Sequence, residues 1–334
     1  MDQIQTEYQA LRTTCGLIEY AGAGLLTVSG PSAAEFLGRA ATRSVDFLLE
    51  GQICAALLLR EDAGVVAEIQ IHGEGDGYLV EVWPAQARAA AEHLAELAAR
   101  TTGVTVTDVS DQFVLFGLEG PESFRLAQKY LPFPIASMAY RSFTTAELPS
   151  GQPLLVSRTG VTGEYGYKLH VPAASGEQVR AELLELGAVP CGIDAVDICR
   201  MECRFVNLEA ELDPAGGTPL DLGLQWMVGF GQDFVGKEAL LKRREDTAAV
   251  PVCWVAADGH SEVPAAGTPV LVGNTEVGAV AHAVYSPGLE RLIGVARLDQ
   301  AVAASGLDFR VGAAEVRTHS APLRVATSFG VPLE

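Results

Sequence analysis

Positively charged side chains are scarce in this 334-residue chain, with 23 Lys and Arg against 42 Asp and Glu and a formal net charge of -19. A field of that sign repels phosphate backbones, so nucleic-acid binding is not expected. Long uncharged hydrophobic runs are missing, and the opening MDQIQTEYQALRTTCG has neither the basic start nor the apolar core of a secretory leader. No membrane span is expected, and the chain reads as soluble and cytoplasmic.

Short catalytic signatures are missing as well. No GxGxxG opens a strand-to-helix unit and no GxxxxGK[ST] cradles a phosphate, which counts against NAD and ATP. Serine hydrolysis lacks its GxSxG, and zinc lacks an HExxH. The six cysteines, at 15, 54, 191, 199, 203 and 253, supply no paired CxxC motifs, so buried thiols are expected and no metal site.

What the chain does have is a 49% hydrophobic composition with only 19% charged residues, enough apolar material for a core spread over two or three domains. Residues 23–29 read as a strand turning through Gly30-Pro31 into a helix, with Ser32 and Glu35 spaced as a reciprocal capping box. Strands are expected at 54–59, 65–71 and 78–83, then a helix over 86–100. The same rhythm returns at 112–118 and 124–130, and LTVSGPSAAEFL pairs with LFGLEGPESFRL as an internal repeat. Strands follow at 154–157 and 167–171, with an amphipathic helix over 176–186. Four further strands at 269–272, 276–284, 291–298 and 310–317 predict a small β-rich terminal domain beginning near residue 246.

Polar residues inside this frame mark the candidate site. Glu68 falls within an apolar strand run, which is unusual if its face is buried, and His72 shares that face. Arg158 and Glu164 sit in the glycine-flanked loop RTGVTGEYGYKL, where a carboxylate can pair with the N–H edge of a heterocycle. A hairpin with surface charges is the competing reading. In PCGIDAVDICRMECRFVNLEAELD, Asp197, Arg200 and Arg204 fall at helical spacing with Glu202 on another side. Arg200 suits an anionic ligand, and a structural ion-pair network is the alternative.

Beyond these local patterns, CGLIEYAGAGLLTVSGPSAAEFL, LREDAGVVAEIQI, LFGLEGP, SRTGVTGEYGYKL, PCGIDAVDICRMECRFVNLEAELD and DLGLQWMVGFGQDFVGKEAL together resemble the folate-binding aminomethyltransferase, or glycine-cleavage T-protein, family over nearly the whole chain. The resemblance implies an α+β fold: a three-domain cloverleaf with two related α+β modules, 1–105 and 106–246, discontinuously packed, and a C-terminal β-barrel at 247–334. It implies tetrahydrofolate as cofactor. It carries pterin recognition onto Glu164, ligand contact onto Arg200 and Glu202, and a cleft-lining aromatic role onto Trp226.

The chain also departs from the family pattern. AGVVAE stands where the family has GGxxDD, placing Ala67 and Glu68 at the paired aspartates. GLIEYAGAG replaces GLFDVSHMG, Val161 and Val196 replace a Tyr and an Arg, and Trp83 stands where an Asn is common. These changes favour tetrahydrofolate-dependent methyl transfer from a small O-, N- or S-methylated substrate, with Glu68 as the catalytic residue and Glu164, Arg200, Trp226, Glu202 and Trp83 as cofactor contacts. The alternatives are an aminomethyltransferase that releases ammonia and forms 5,10-methylenetetrahydrofolate, or a non-catalytic folate-responsive binding or maturation protein. A carrier or flavoprotein partner is compatible with these readings.

Overall fold

The structure, a computed structural model, describes residues 3–213, 216–245 and 249–333. The chain opens with α1 (Gln3–Thr13), β1 (Gly16–Glu19), β2 (Gly24–Ser29), α2 (Ala33–Ala40), β3 (Ile53–Leu59), β4 (Val65–Glu74), β5 (Gly77–Val82), α3 (Ala87–Ala98) and β6 (Thr105–Asp108). The repeat of this rhythm gives β7 (Phe113–Glu119), α4 (Ser123–Ala127), β8 (Phe143–Glu147), β9 (Pro153–Ser157), β10 (Gly166–Pro172), α5 (Gly176–Glu185), β11 (Val189–Pro190), α6 (Ile193–Cys203), α7 (Leu208–Glu211) and α8 (Lys237–Glu245). Six strands close the chain: β12 (Ala249–Ala256), β13 (Pro269–Val272), β14 (Thr275–Ser286), β15 (Arg291–Asp299), β16 (Asp308–Val311) and β17 (Ala314–His319).

These strands form a five-stranded sheet in the order β3-β4-β5-β2-β6, a six-stranded sheet in the order β11-β1-β7-β10-β9-β8, and a closed barrel in the order β12-β15-β14-β13-β16-β17. The two halves of the sequence repeat place β2–α2 in the first sheet and β7–α4 in the second. The halves are not contiguous, however. β1 leaves the first sheet to pair antiparallel with β7 and parallel with β11. Leu17 then joins the core of the second sheet beside Phe116, Leu118 and Tyr167.

Strand β3 is buried on both faces, which explains its near-continuous apolar run. Ala56 and Leu58 pack with Phe36 of α2 and Leu94 of α3, while Ala55, Leu57 and Leu59 pack beneath Val206, Leu222, Met227 and Leu240. The segment after α6 thus folds back onto the first sheet, although the expected division assigned it to the second module.

Local expectations differ in two places. Ser32 takes the N-cap position of α2, but its side chain makes no capping bond. The strand expected at 310–317 is two strands, β16 and β17, joined through Gly312, whose φ of 56° suits the tight reversal. The boundary expected near residue 246 lies outside the described residues. The barrel core centres on Trp254, which is 1% exposed. Gly294 leaves room for that ring, since a Cβ there would lie 2.4 Å from Trp254 Cζ2.

Candidate active site

Glu68, Gln70 and His72 alternate along β4 and so share one face. Gln70 lies opposite Glu81 of β5, and Lys168 and His170, two residues apart on β10, meet them from the second sheet. Lys168 Nζ donates to Glu81 Oε1, His170 Nε2 lies 3.0 Å from Oε2, and His72 Nε2 lies 3.9 Å from the same oxygen. All four side chains are buried. Burial pushes the His72 imidazole down to about 3, so it is neutral, with Nδ1 3.3 Å from the Leu79 carbonyl. Burial alone would raise the Glu81 carboxyl, but the Lys168 charge and the His170 hydrogen bond hold it well below the usual carboxylate range. The ligand atoms of His72, Glu81 and His170 lie within 4.8 Å of one another. Lys168 already supplies a cation to Glu81, so the cluster is electrostatically satisfied as an ion pair.

Next to this seam lies a cavity of about 300 Å³ lined by Glu68, Gln70, Arg141, Arg200 and Trp226 and by the 159–161 loop. Burial raises the Glu68 carboxyl above its ordinary value against the opposing charges of Arg200, Lys168 and Arg141. A carboxylate tuned upward in this way is better matched to proton transfer near neutral pH. The Arg200 guanidinium stacks 4.5 Å from the Trp83 ring centre and donates to the Phe205 and Val206 carbonyls. Trp83 meets Tyr20 edge-on at 5.1 Å, and Lys168 lies 5.5 Å from the Trp83 ring centre. Trp83 therefore supports Arg200 from behind, while Trp226 stands on the cavity wall itself.

Glu164 and Glu202 do not meet the cavity, contrary to expectation. Glu164 accepts from the Thr327 and Ser328 backbone N–H groups at 3.0 and 2.8 Å, from Ser328 Oγ at 2.6 Å and from Arg12 at 3.2 Å. Its oxygens are occupied by the protein's own donors. Glu202 accepts from Tyr8 at 2.7 Å, from Arg12 at 2.6 Å and from Ser286. Both carboxylates share Arg12 and lace α1 and α6 to the barrel side of the molecule. The charges of α6 likewise bond elsewhere than to one another: Asp197 to His282 and Asn207, and Arg204 to Glu211.

The loop that does line the cavity is shaped by a residue outside the expected set. Glu119, fully buried, accepts from the Val161 and Thr162 N–H groups and from Thr162 Oγ1. The loop glycines serve packing within the protein, since a Cβ on Gly166 would lie 2.5 Å from Gly160 Cα and one on Gly163 2.3 Å from Cys203 Sγ. Lys168, His170, Glu81, Arg141 and Glu119 were missed in the sequence. For Glu81, Lys168 and His170 the available signal was charge inside apolar strand runs, in YLVEVW and GYKLHV.

An antiparallel sheet and a mixed one thus face each other over a charged cavity, with a closed barrel beside them. The chain belongs to the glycine-cleavage T-protein family: the model described as GCVT N-terminal domain matches residues 1–232, and that described as glycine cleavage T-protein C-terminal barrel domain matches residues 252–329. Among curated relatives, an aminomethyltransferase of Rubrobacter xylanophilus is 32% identical over 295 residues, covering 88% of this chain and 78% of its own. One of Halothermothrix orenii is 30% identical, covering 86% and 81%. The solved aminomethyltransferase T of the glycine cleavage system from Bartonella henselae shares the fold, with a TM-score of 0.86 at 20% identity over 97% of this chain and 90% of that one. The chain is an enzyme of this class, and its cofactor is tetrahydrofolate. Among the described residues no helix is long and apolar enough to cross a membrane.

The lining chemistry fits a reduced pterin. Glu68 offers a carboxylate to N–H groups, Gln70 offers both a donor and an acceptor, and the cavity volume suits a bicyclic ring better than a whole folate. Tyr140 and Trp226, which also line the cavity, are 56% and 54% exposed.

Proposed function

We propose that this chain transfers an amine-bearing one-carbon unit to tetrahydrofolate, releasing ammonia and leaving 5,10-methylenetetrahydrofolate. The observation that carries this reading is Glu68: it lines the cavity and lies within electrostatic reach of Arg200, Lys168 and Arg141. The aminomethyltransferase relatives support the aminomethyl reading over the methyl-donor reading favoured by the sequence departures.

Bound tetrahydrofolate supplies the nitrogen nucleophile that accepts the one-carbon unit. Glu68 holds the reacting N–H and takes its proton, a task suited to a carboxyl raised above its ordinary value. Gln70 orients the ring beside it, and Arg200, braced by Trp83 and two backbone carbonyls, fixes the opposite wall. Fixed walls of this kind lower the barrier by positioning, where an error near 1 Å costs on the order of 100-fold. The aminomethyl group enters from a carrier protein or a small donor through the mouth at Tyr140 and Trp226.

The test is a turnover assay with tetrahydrofolate and three donors: an aminomethylated lipoyl carrier protein, a small N-methyl amine and a small O-methyl compound. Ammonia release, product mass and folate absorbance are recorded together. Ammonia with 5,10-methylenetetrahydrofolate is expected. Formation of 5-methyltetrahydrofolate from a methyl donor, with none of the former product from any aminomethyl donor, would reverse the assignment.

A further inference from the structure

Arg141 is a cavity cation whose charge reaches Glu68 only at a distance. Its backbone joins the two sheets: the Arg141 N–H donates to Arg158 O at 2.9 Å, beside β9, and its carbonyl accepts from Ile53 of β3 at 2.9 Å. Held between these bonds, Arg141 has a φ of 58°, in the left-handed region that non-glycine residues rarely occupy. The guanidinium lies 5.5 Å from the Tyr140 ring centre and 5.7 Å from that of Trp226. Among the described residues it makes no ion pair and no side-chain hydrogen bond.

The other cations near the cavity are committed. Lys168 is paired with Glu81, Arg204 with Glu211, and Arg200 donates to two carbonyls. Glu68 is the cavity's own carboxylate, and Arg141 forms no ion pair with it. A strained backbone, two aromatic rings and an unused planar fork at the mouth of a cavity together describe a preformed anion grip. The protein's net charge of -19 would repel an anion at long range, so a carboxylate bound here must be held by local contacts.

We propose that Arg141, clamped by Tyr140 and Trp226, is a specificity residue that binds a ligand carboxylate at the cavity mouth. Two ligands carry that chemistry: the glutamyl end of the folate, which the proposed reaction uses, or a small amino acid such as N-methylglycine, which that reaction does not require. The proposal rests on the folate reading above.

Calorimetric binding to the intact protein separates the possibilities. The first arm compares tetrahydrofolate with the carboxamide of tetrahydropteroate, which lacks the glutamyl group and carries no carboxylate. The second titrates N-methylglycine and its amide into protein saturated with that carboxamide. In one arm, the carboxylate form is expected to bind tenfold to a hundredfold more tightly, as suits a charge-assisted hydrogen bond. Arg141→Asn, which tolerates the left-handed backbone, should erase that preference, and Arg141→Lys should keep part of it. The arm that responds identifies the source. The comparison of ligands on the unaltered protein stands whether or not a variant folds. Equal binding of both forms in both arms would overturn the proposal while leaving the cofactor in place. If neither folate binds, the cofactor reading fails and this one fails with it.

Discussion

Lys168 on one sheet donates to Glu81 on the other, and the pair, 2% and 5% exposed, joins the two sheets beside the cavity. Removing one partner of such a pair strands a buried charge, whereas removing both leaves an apolar gap that packing can fill. Glu81→Gln or Lys168→Met alone should each cost about 3–5 kcal/mol, with Lys168→Met/Glu81→Leu recovering much of that loss. Denaturant melts of the three variants check this. Additive losses in the double variant would mean that the two groups act separately.

Glu68→Gln should lower kcat by roughly 100-fold or more, the usual scale for a missing general base. The same change should raise stability at neutral pH. A carboxyl whose folded pKa is raised contributes its stability below its unfolded value and loses it as pH rises through the folded value. The gap in melting temperature between Glu68→Gln and the parent should therefore open with rising pH and close in acid. A variant that is both active and no more stable would remove Glu68 from the proposed chemistry.

Glu164→Gln offers the opposite pattern. Its carboxylate faces Arg12, Thr327 and Ser328, so the variant should melt at lower temperature while its tetrahydrofolate affinity, measured well below that temperature, stays within about twofold, since the affected charge-assisted bonds lie outside the cavity. A large loss of affinity with unchanged melting would return Glu164 to the cofactor.

Two histidines set opposite limbs of the stability profile. His72, depressed by burial to about 3, contributes stability that is full above its unfolded value and lost as pH falls towards the folded one. For His282, burial would lower the imidazole, but the 2.7 Å bond and charge of Asp197 raise it. Its contribution is full below its unfolded value and lost as pH rises through the folded one. Thermal scans across pH should show His72→Gln flattening the acid limb and His282→Gln the alkaline one. Unchanged profiles would deny both assignments.

The elements were largely legible in the sequence because their signals are local. The alternation along β4 and the Ala-rich run of α3 each declare their structure within a dozen residues. Glu68 was legible for the same reason, as a charge within an apolar strand. The surroundings of Glu164 were not legible because its partners, Arg12 and Ser328, lie 152 and 164 positions away, and no local pattern encodes such a meeting. Arg141 carried no signal at all, since its interest arises from the backbone conformation imposed by two sheets and from its lacking an ion-pair partner among the described residues.

Glu164 also bears on how the molecule is made. Two of its donors, Thr327 and Ser328, are synthesised 163 and 164 positions after it, and the Leu323 N–H returns to the Glu202 carbonyl. Until those residues leave the ribosome, a carboxylate destined for the interior lacks most of its hydrogen-bond donors. Completion of that loop's hydrogen bonds therefore waits on residues 327 and 328, and clipping the polypeptide ahead of residue 327 should unsettle a loop nearly half the chain upstream.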